Sequence, residues 1–240
     1  MDNRRFDSWP LLDNYLEVTH TIPETFANAV THVGDRPANI FKENEAWRTV
    51  TYSEWNGISR EIGAALLSLG LQTNDRNSVF SHTCAQWGWS DIGNQMAGGT
   101  TVTIFPTLSD DEIIFIINHS AVKYIFTGTP VLVDRLQSLH TEIPGLEGII
   151  CLTEAFTGNE VDTWSLDQFR ALGRKWQADH PVDLDARINS LQADDGATII
   201  YTSGTTGKLK GARFTQKDCV VATWRALKMC AVGGTPVNFE

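Results

Sequence analysis

The sequence predicts an α/β fold: a doubly wound, mainly parallel sheet with flanking helices. Two observations carry this. Short β-branched or aromatic runs, "NSVFSH", "TVTIF", "KYIFT" and "GIICL", recur through the middle of the chain. Between them lie "AQWGWSDIGNQMAGG", "LSDDEIIFIINHS" and "PVLVDRLQSLHTEI", each of helical length and pattern. Strand and helix alternating in this way signal a largely parallel sheet, and its crossovers are nearly always right-handed. The strands are expected near 77–82, 101–105, 123–127 and 148–152, with helices on both faces. With 240 residues, 42% of them hydrophobic, the chain can bury one large core or two smaller ones.

Taken in order, the N-terminal "MDNRRFDSWPLLDNY" has no apolar stretch of signal-peptide length, and no segment reaches the ~18 apolar residues of a membrane span. "SEWNGISREIGAALLSLGL" reads as a helix, because Trp55, Ile58, Ile62, Leu66 and Leu69 recur at three- and four-residue steps. Ser53 stands at its expected N-cap, and Gly70 where a left-handed C-terminal residue is wanted. From 153 to 191 the chain turns polar, as a connection between two layers or subdomains. One helix is expected there, around 166–176, with Trp164, Phe169 and Leu172 on its buried side. Residues 197–201 and 211–215 read as two further strands. The helix "TQKDCVVATWRALKM" then opens with Thr215 as cap and Asp218 three residues on, a capping-box arrangement.

Composition excludes several functions. A net charge of −10 and the lack of a long basic run argue against a nucleic-acid binder. Cys84, Cys151, Cys219 and Cys230 form no CxxC pair and suit reduced thiols in the cytoplasm. The six histidines show no metal-ligand spacing; His82 and His119 stand next to predicted element ends. The acidic "SDDE" at 109–112 fits the first turn of a helix, where the dipole favours negative charge, better than a metal site. Trp87 and Trp89 read as core, and no Ser-His-Asp or G-x-S-x-G arrangement supports a hydrolase.

The chemistry concentrates in "TIIYTSGTTGKLKGARFT". After a β-branched run, four hydroxyls, three glycines and two lysines crowd into ten residues. Residues 202–210 therefore read as a tight loop between two strands. Gly204 and Gly207 let backbone amides approach a ligand closely. The hydroxyls of Thr202, Ser203, Thr205 and Thr206 can donate to phosphate oxygens, and Lys208 and Lys210 can neutralise their charge. The mononucleotide fingerprint G-x-x-x-x-G-K-[ST] fails, since five residues beyond Gly204 is Leu209 and five beyond Gly207 is Ala212. No G-x-G-x-x-G follows the earlier strands, which removes the main support for dinucleotide binding.

The loop resembles the signature "YTSGTTGxPKG" of the adenylate-forming superfamily, the AMP-dependent synthetases and ligases. "WRTVTYSEWNGISREIGAALLSLGL" is similar to the family's "TY-x-E" strand and following helix. "DRNSVFSHTCAQWGWSDIGNQMAGGTTVTIFPTLSDDEI" resembles its next strand, helix and strand. The likeness covers nearly the whole chain from about Ile22, and "FPTLSDDEIIFIINHS" is most similar to the long-chain fatty acyl-CoA synthetases.

The resemblance implies the N-terminal part of an acyl-CoA synthetase large domain. Residues 1–190 would be its first α/β subdomain and 191–240 the start of a second, carrying the phosphate loop. It implies ligation of a fatty acid to coenzyme A with ATP·Mg²⁺, through an acyl-adenylate. Thr202, Ser203, Gly204, Thr205, Thr206, Gly207 and Lys210 would bind the ATP phosphates, with the Thr202 hydroxyl facing the magnesium ion. The magnesium-binding glutamate, the ribose-binding aspartate and the C-terminal domain with its catalytic lysine would lie beyond residue 240, so this chain alone is expected to be inactive.

Two positions depart from the family. Leu209 stands where proline is usual, which would leave the empty loop more mobile. Gln216 stands where histidine is common, so any role of that imidazole lacks its residue here. A non-catalytic phosphate-binding fragment, and an adenylating enzyme for another acid or a carrier protein, stay open, as do peripheral membrane contact and a homodimer.

Overall fold

The computed structural model describes residues 20–43, 45–153, 161–203 and 209–232. Helix α1 (Ile22–Val33) leads into a hairpin of β1 (Pro37–Glu43) and β2 (Ala46–Thr51), followed by α2 (Tyr52–Ser68). Then come β3 (Arg76–Phe80), α3 (Ala85–Met96), β4 (Thr100–Ile104), α4 (Asp110–Ser120), β5 (Val122–Thr127), α5 (Pro130–Ser138) and β6 (Gly148–Cys151). Next are β7 (Thr163–Ser165), α6 (Leu166–Asp179) and α7 (Asp183–Ser190), before β8 (Gly196–Ser203), β9 (Leu209–Thr215) and α8 (Gln216–Val232).

The main sheet has the order β7-β6-β5-β3-β4-β8-β9. Every neighbouring pair is parallel except β8–β9. The four strands expected from the alternation of patterns are all present and parallel. The chain leaves β3 for β4 on one side and returns to β5 on the other, so the winding reverses between β3 and β5, as in a doubly wound sheet. β8 and β9 continue this same sheet beyond β4.

Apolar layers cover both faces. On one, Ile58, Ile62 and Leu66 of α2, Trp89 of α3 and Phe169 of α6 pack with Phe126 of the sheet. On the other, Ile113 and Ile116 of α4 and Val133 and Leu136 of α5 pack with Phe80 and Ile125. The α2–α6 contact is close: a Cβ on Gly173 would overlap the Glu61 carbonyl oxygen. Arg170 and Arg174 of α6 both reach the Glu61 carboxylate, at 2.7 and 2.9 Å. Trp89, read as core, is 3% exposed, and its ring N–H donates to Asn39 of β1 at 2.9 Å.

Local signals explain the helix ends, with one correction. The N-cap of α2 is Thr51 rather than Ser53: its hydroxyl accepts from Glu54 N at 3.2 Å, and the Glu54 carboxylate accepts from Thr51 N at 2.7 Å. Only Thr51 has a glutamate three residues on, as a capping box requires. Gly70 takes the left-handed conformation expected of it, at φ +83°. The "SDDE" stretch is the capped start of α4, with Ser109 and Glu112 closing a second box. Phe169 is fully buried, Leu172 packs at the edge of the same cluster, and Trp164 lies on β7 just before α6. The polar connection after residue 161 holds β7 and α7 as well as α6.

Candidate functional site

Parallel strands end on a common edge, and in open α/β sheets ligands gather outside that carboxyl edge. Here the gap between β3 and β5, where the winding reverses, is bridged: Gly128 N donates to the Phe80 carbonyl at 3.2 Å, and the Thr153 hydroxyl donates to the Gly128 carbonyl at 2.9 Å. A hollow of ≈ 380 Å³ lies elsewhere, lined by Leu67, Leu71, Trp176 and Arg187 among others, and none of its lining residues belongs to β8 or β9. The candidate phosphate residues sit at the far end of the β8–β9 hairpin.

β8 and β9 are longer than the sequence suggested. Thr202 and Ser203 extend β8, and Leu209 and Lys210 begin β9, so the connecting segment is shorter than 202–210. Antiparallel pairing continues through Thr202↔Lys210 to Ser203↔Leu209 because the β-branched and aromatic run of β8 favours extended backbone to its end. Thr202 and Lys210 are thus direct cross-strand partners, both exposed. Side chains so paired stand roughly 5 Å apart at Cβ on one face of the ladder. Gly204, Thr205, Thr206, Gly207 and Lys208 lie outside the described residues.

Leu209, expected in the loop, opens β9 and packs half-buried at the edge of the apolar cluster beneath α4 and α5. Gly211 leaves room for its cross-strand partner: a Cβ there would stand 3.1 Å from Tyr201 Cζ. Tyr201 turns instead toward α4, where its hydroxyl lies 2.7 Å from His119 Nδ1. His119 stacks on Phe115, ring centroids 5.1 Å apart, and Tyr201 meets both rings edge-on. Burial pushes the Tyr201 hydroxyl pKa up, and a hydrogen bond with Ser120 acts the other way.

At the opposite end, the hairpin base is buried and polar. Gln216 is 1% exposed. Its amide donates to Gln95 Oε1 at 2.7 Å and the Gly196 carbonyl at 3.3 Å, and accepts from Ile22 N at 2.9 Å. Gln95 also donates to the Ala197 carbonyl at 2.8 Å. The Thr215–Asp218 box predicted from sequence closes here, the two residues exchanging backbone bonds of 2.9 and 3.2 Å. Asp218 accordingly titrates below the usual carboxylate range, held by the Thr215 backbone and hydroxyl. Gln216 and the distal residues occupy opposite ends of the ladder, so Gln216 joins α8 to α1 and α3 rather than lining the site.

Beside that base, Asp91 of α3 accepts from the Thr101 hydroxyl at 2.6 Å and from Gln95 at 3.5 Å. Desolvation by burial raises its pKa, against these two hydrogen bonds. Among the described residues no cluster of three or more His, Cys, Asp or Glu side chains is placed to hold a metal ion. His82 is exposed, and the neighbouring Ser81 hydroxyl donates to its carbonyl. The sequence pointed to His119 only through its place near a helix end, and missed Tyr201 as its partner. The alternation of β8 held that signal: Tyr201 shares its face with Ile199, the face covered by α4.

Comparison with known proteins places this arrangement. The chain is 25% identical over 210 residues to the human long-chain-fatty-acid–CoA ligase ACSBG1, covering 88% of this chain and 28% of that protein. It is 32% identical over 174 residues to the long-chain-fatty-acid–CoA ligase FadD15 of Mycobacterium bovis, covering 72% and 28%. It therefore spans little more than a quarter of the length of these relatives. Among solved structures, a protein from Rhodopseudomonas palustris assigned as a long-chain-fatty-acid CoA ligase superposes with TM-score 0.68 at 18% identity, over 87% of this chain and 48% of the other. The A-PCP didomain of a carboxylic acid reductase from Segniliparus rugosus, in complex with AMP, superposes with TM-score 0.69 at 18% identity, over 86% and 33%. These two likenesses concern the fold. The AMP-binding enzyme model matches residues 26–237, and the chain belongs to that family.

Proposed function

We propose that the chain carries the ATP-phosphate-gripping part of a long-chain fatty acyl-CoA ligase of the AMP-forming type. The observation that carries the proposal is the juxtaposition of Thr202 and Lys210, exposed and directly paired at the carboxyl edge, with a glycine- and hydroxyl-rich sequence between them. A hydroxyl donor, an ammonium group and close backbone amides suit a polyphosphate.

In the reaction, a fatty carboxylate oxygen bonds to the α-phosphorus of ATP, and the bond to the β-phosphate bridging oxygen breaks. Pyrophosphate leaves with the electron pair. Coenzyme A sulfur then bonds to the acyl carbon, losing its proton, and AMP departs. Adenylation is needed because a carboxylate offers no stable leaving group. Two anions must meet in the first step, so neutralisation and positioning carry much of the catalysis. Lys210, Ser203 and the residues Gly204, Thr205, Thr206 and Gly207 hold the β- and γ-phosphates. A magnesium ion carried with ATP would spread charge from the phosphates, and the exposed Thr202 hydroxyl would offer it a hard oxygen ligand. Grip on the phosphates stabilises bound ATP as well as the transition state, so phosphate binding is the first property to measure.

Titration calorimetry with pyrophosphate tests this. The chain should bind it, and Lys210→Ala should weaken binding by roughly 10- to 100-fold, the loss of one charged hydrogen bond. No binding by the unaltered chain, or equal binding by the variant, would remove the phosphate assignment.

A further inference from the structure

The distal end of the β8–β9 hairpin overhangs the sheet. β8 pairs with β4 only through Thr101↔Thr198, Val102↔Ile199 and Thr103↔Ile200. Its pairing with β9 runs on through Tyr201, Thr202 and Ser203. Beyond Ile200, therefore, no described ladder joins the hairpin to the body, and a two-stranded ribbon by itself is marginally stable in water. Thr202 and Lys210 both sit on this overhang.

We propose that His119 and Tyr201 form a positioning pair that braces the overhang against α4 and so sets the placement of Thr202 and Lys210. Residues separated by 82 positions meet there at 2.7 Å. The Tyr201 side chain leaves the ribbon one residue beyond the last β4 pairing, where a brace has most leverage. Gly211 leaves space for the ring, and Phe115 supports His119 by stacking on it. Leu209, across from Ser203, adds an apolar contact to the same cluster. In the neutral tautomer with its proton on Nε2, His119 Nδ1 accepts a hydrogen bond from the tyrosine hydroxyl. In the imidazolium, Nδ1–H donates to the tyrosine oxygen, so the brace holds in either state.

The inference builds on the phosphate reading, and two measurements on the full chain separate them. Tyr201→Phe and His119→Phe keep the rings and delete the bond. Each should accelerate amide exchange in 200–203 and 209–211, leaving β3 and β5 unchanged, and should weaken pyrophosphate binding about three- to tenfold. The double variant should be no worse than either single one, and His119→Gln, which retains an acceptor, should recover most of the affinity. Unchanged exchange in the overhang, additive losses, or exchange rising equally across the whole sheet would overturn the brace. If the unaltered chain ignores pyrophosphate, the phosphate reading fails, while amide exchange still decides whether the pair holds the ribbon.

Discussion

The two ends of the β8–β9 hairpin are built on opposite terms. At the base, Gln216, Gln95 and the backbone of Gly196, Ala197 and Ile22 form a buried network between α1, α3 and α8. At the distal end, Thr202 and Lys210 face solvent on a ribbon that has outrun its neighbour β4. Buried polar groups are costly unless every member is satisfied, so the base holds the register of both strands. The distal end presents the exposed Thr202 hydroxyl and Lys210 ammonium group, which on the proposed reading a ligand takes up. On the proposed reading, one element separates stability from binding along its length.

Five substitutions would break or sharpen this contrast, beginning with the sheet body as reference. Phe169→Ala removes a fully buried ring and should cost about 3–5 kcal/mol, read from urea unfolding. Gln216→Ala takes the Gln216 amide from Ile22 N and from Gln95 Oε1, and should cost about 1–3 kcal/mol. A Gln216→Ala variant as stable as the parent would show that the base is not the anchor.

Asp91→Asn works in the other direction. Because burial raises the folded-state pKa of Asp91, the folded chain binds more protons than the unfolded one between the two pKa values. Its contribution is fully present below the unfolded carboxylate pKa and is lost as pH rises through the folded one. The asparagine variant should therefore be the more stable protein at neutral pH, with the difference shrinking toward acid. The difference between the two proteins is the quantity to follow, since Asp75, Glu54, Glu112 and Asp218 have lowered pKa values and act with the opposite sign. Smallest of all, Thr202→Ala and Lys210→Ala should each shift unfolding by no more than about 0.5 kcal/mol, as exposed substitutions do. A larger loss from either would mean that the distal end also supports the fold.

The parallel strands, the helices between them, the acidic first turn of α4, the α8 cap and the position of Gly70 were all legible in the sequence, because each rests on neighbours in the chain: alternation, helical spacing, acids after a helix start, a Thr three residues before an acid. Thr51 was legible by the same rule, though Ser53 was taken in its place. Of the hairpin β1–β2 only β2 was read, through the family's "TY-x-E" strand; β1 went unseen, and it meets the body by contacts between distant segments, Phe41 against Trp89 and Asn39 with the Trp89 ring N–H.

By itself the sequence determined the α/β class, the family signature and the residue types available to a polyphosphate, since local pattern and residue chemistry travel with the chain. Only the tertiary structure decided how far β8 and β9 extend, that Thr202 stands opposite Lys210, that Gln216 lies at the far end from them, and that His119 meets Tyr201. Each of these depends on strand register and on which helix covers which face of the sheet, and register is settled by packing between residues tens of positions apart, which no local pattern encodes.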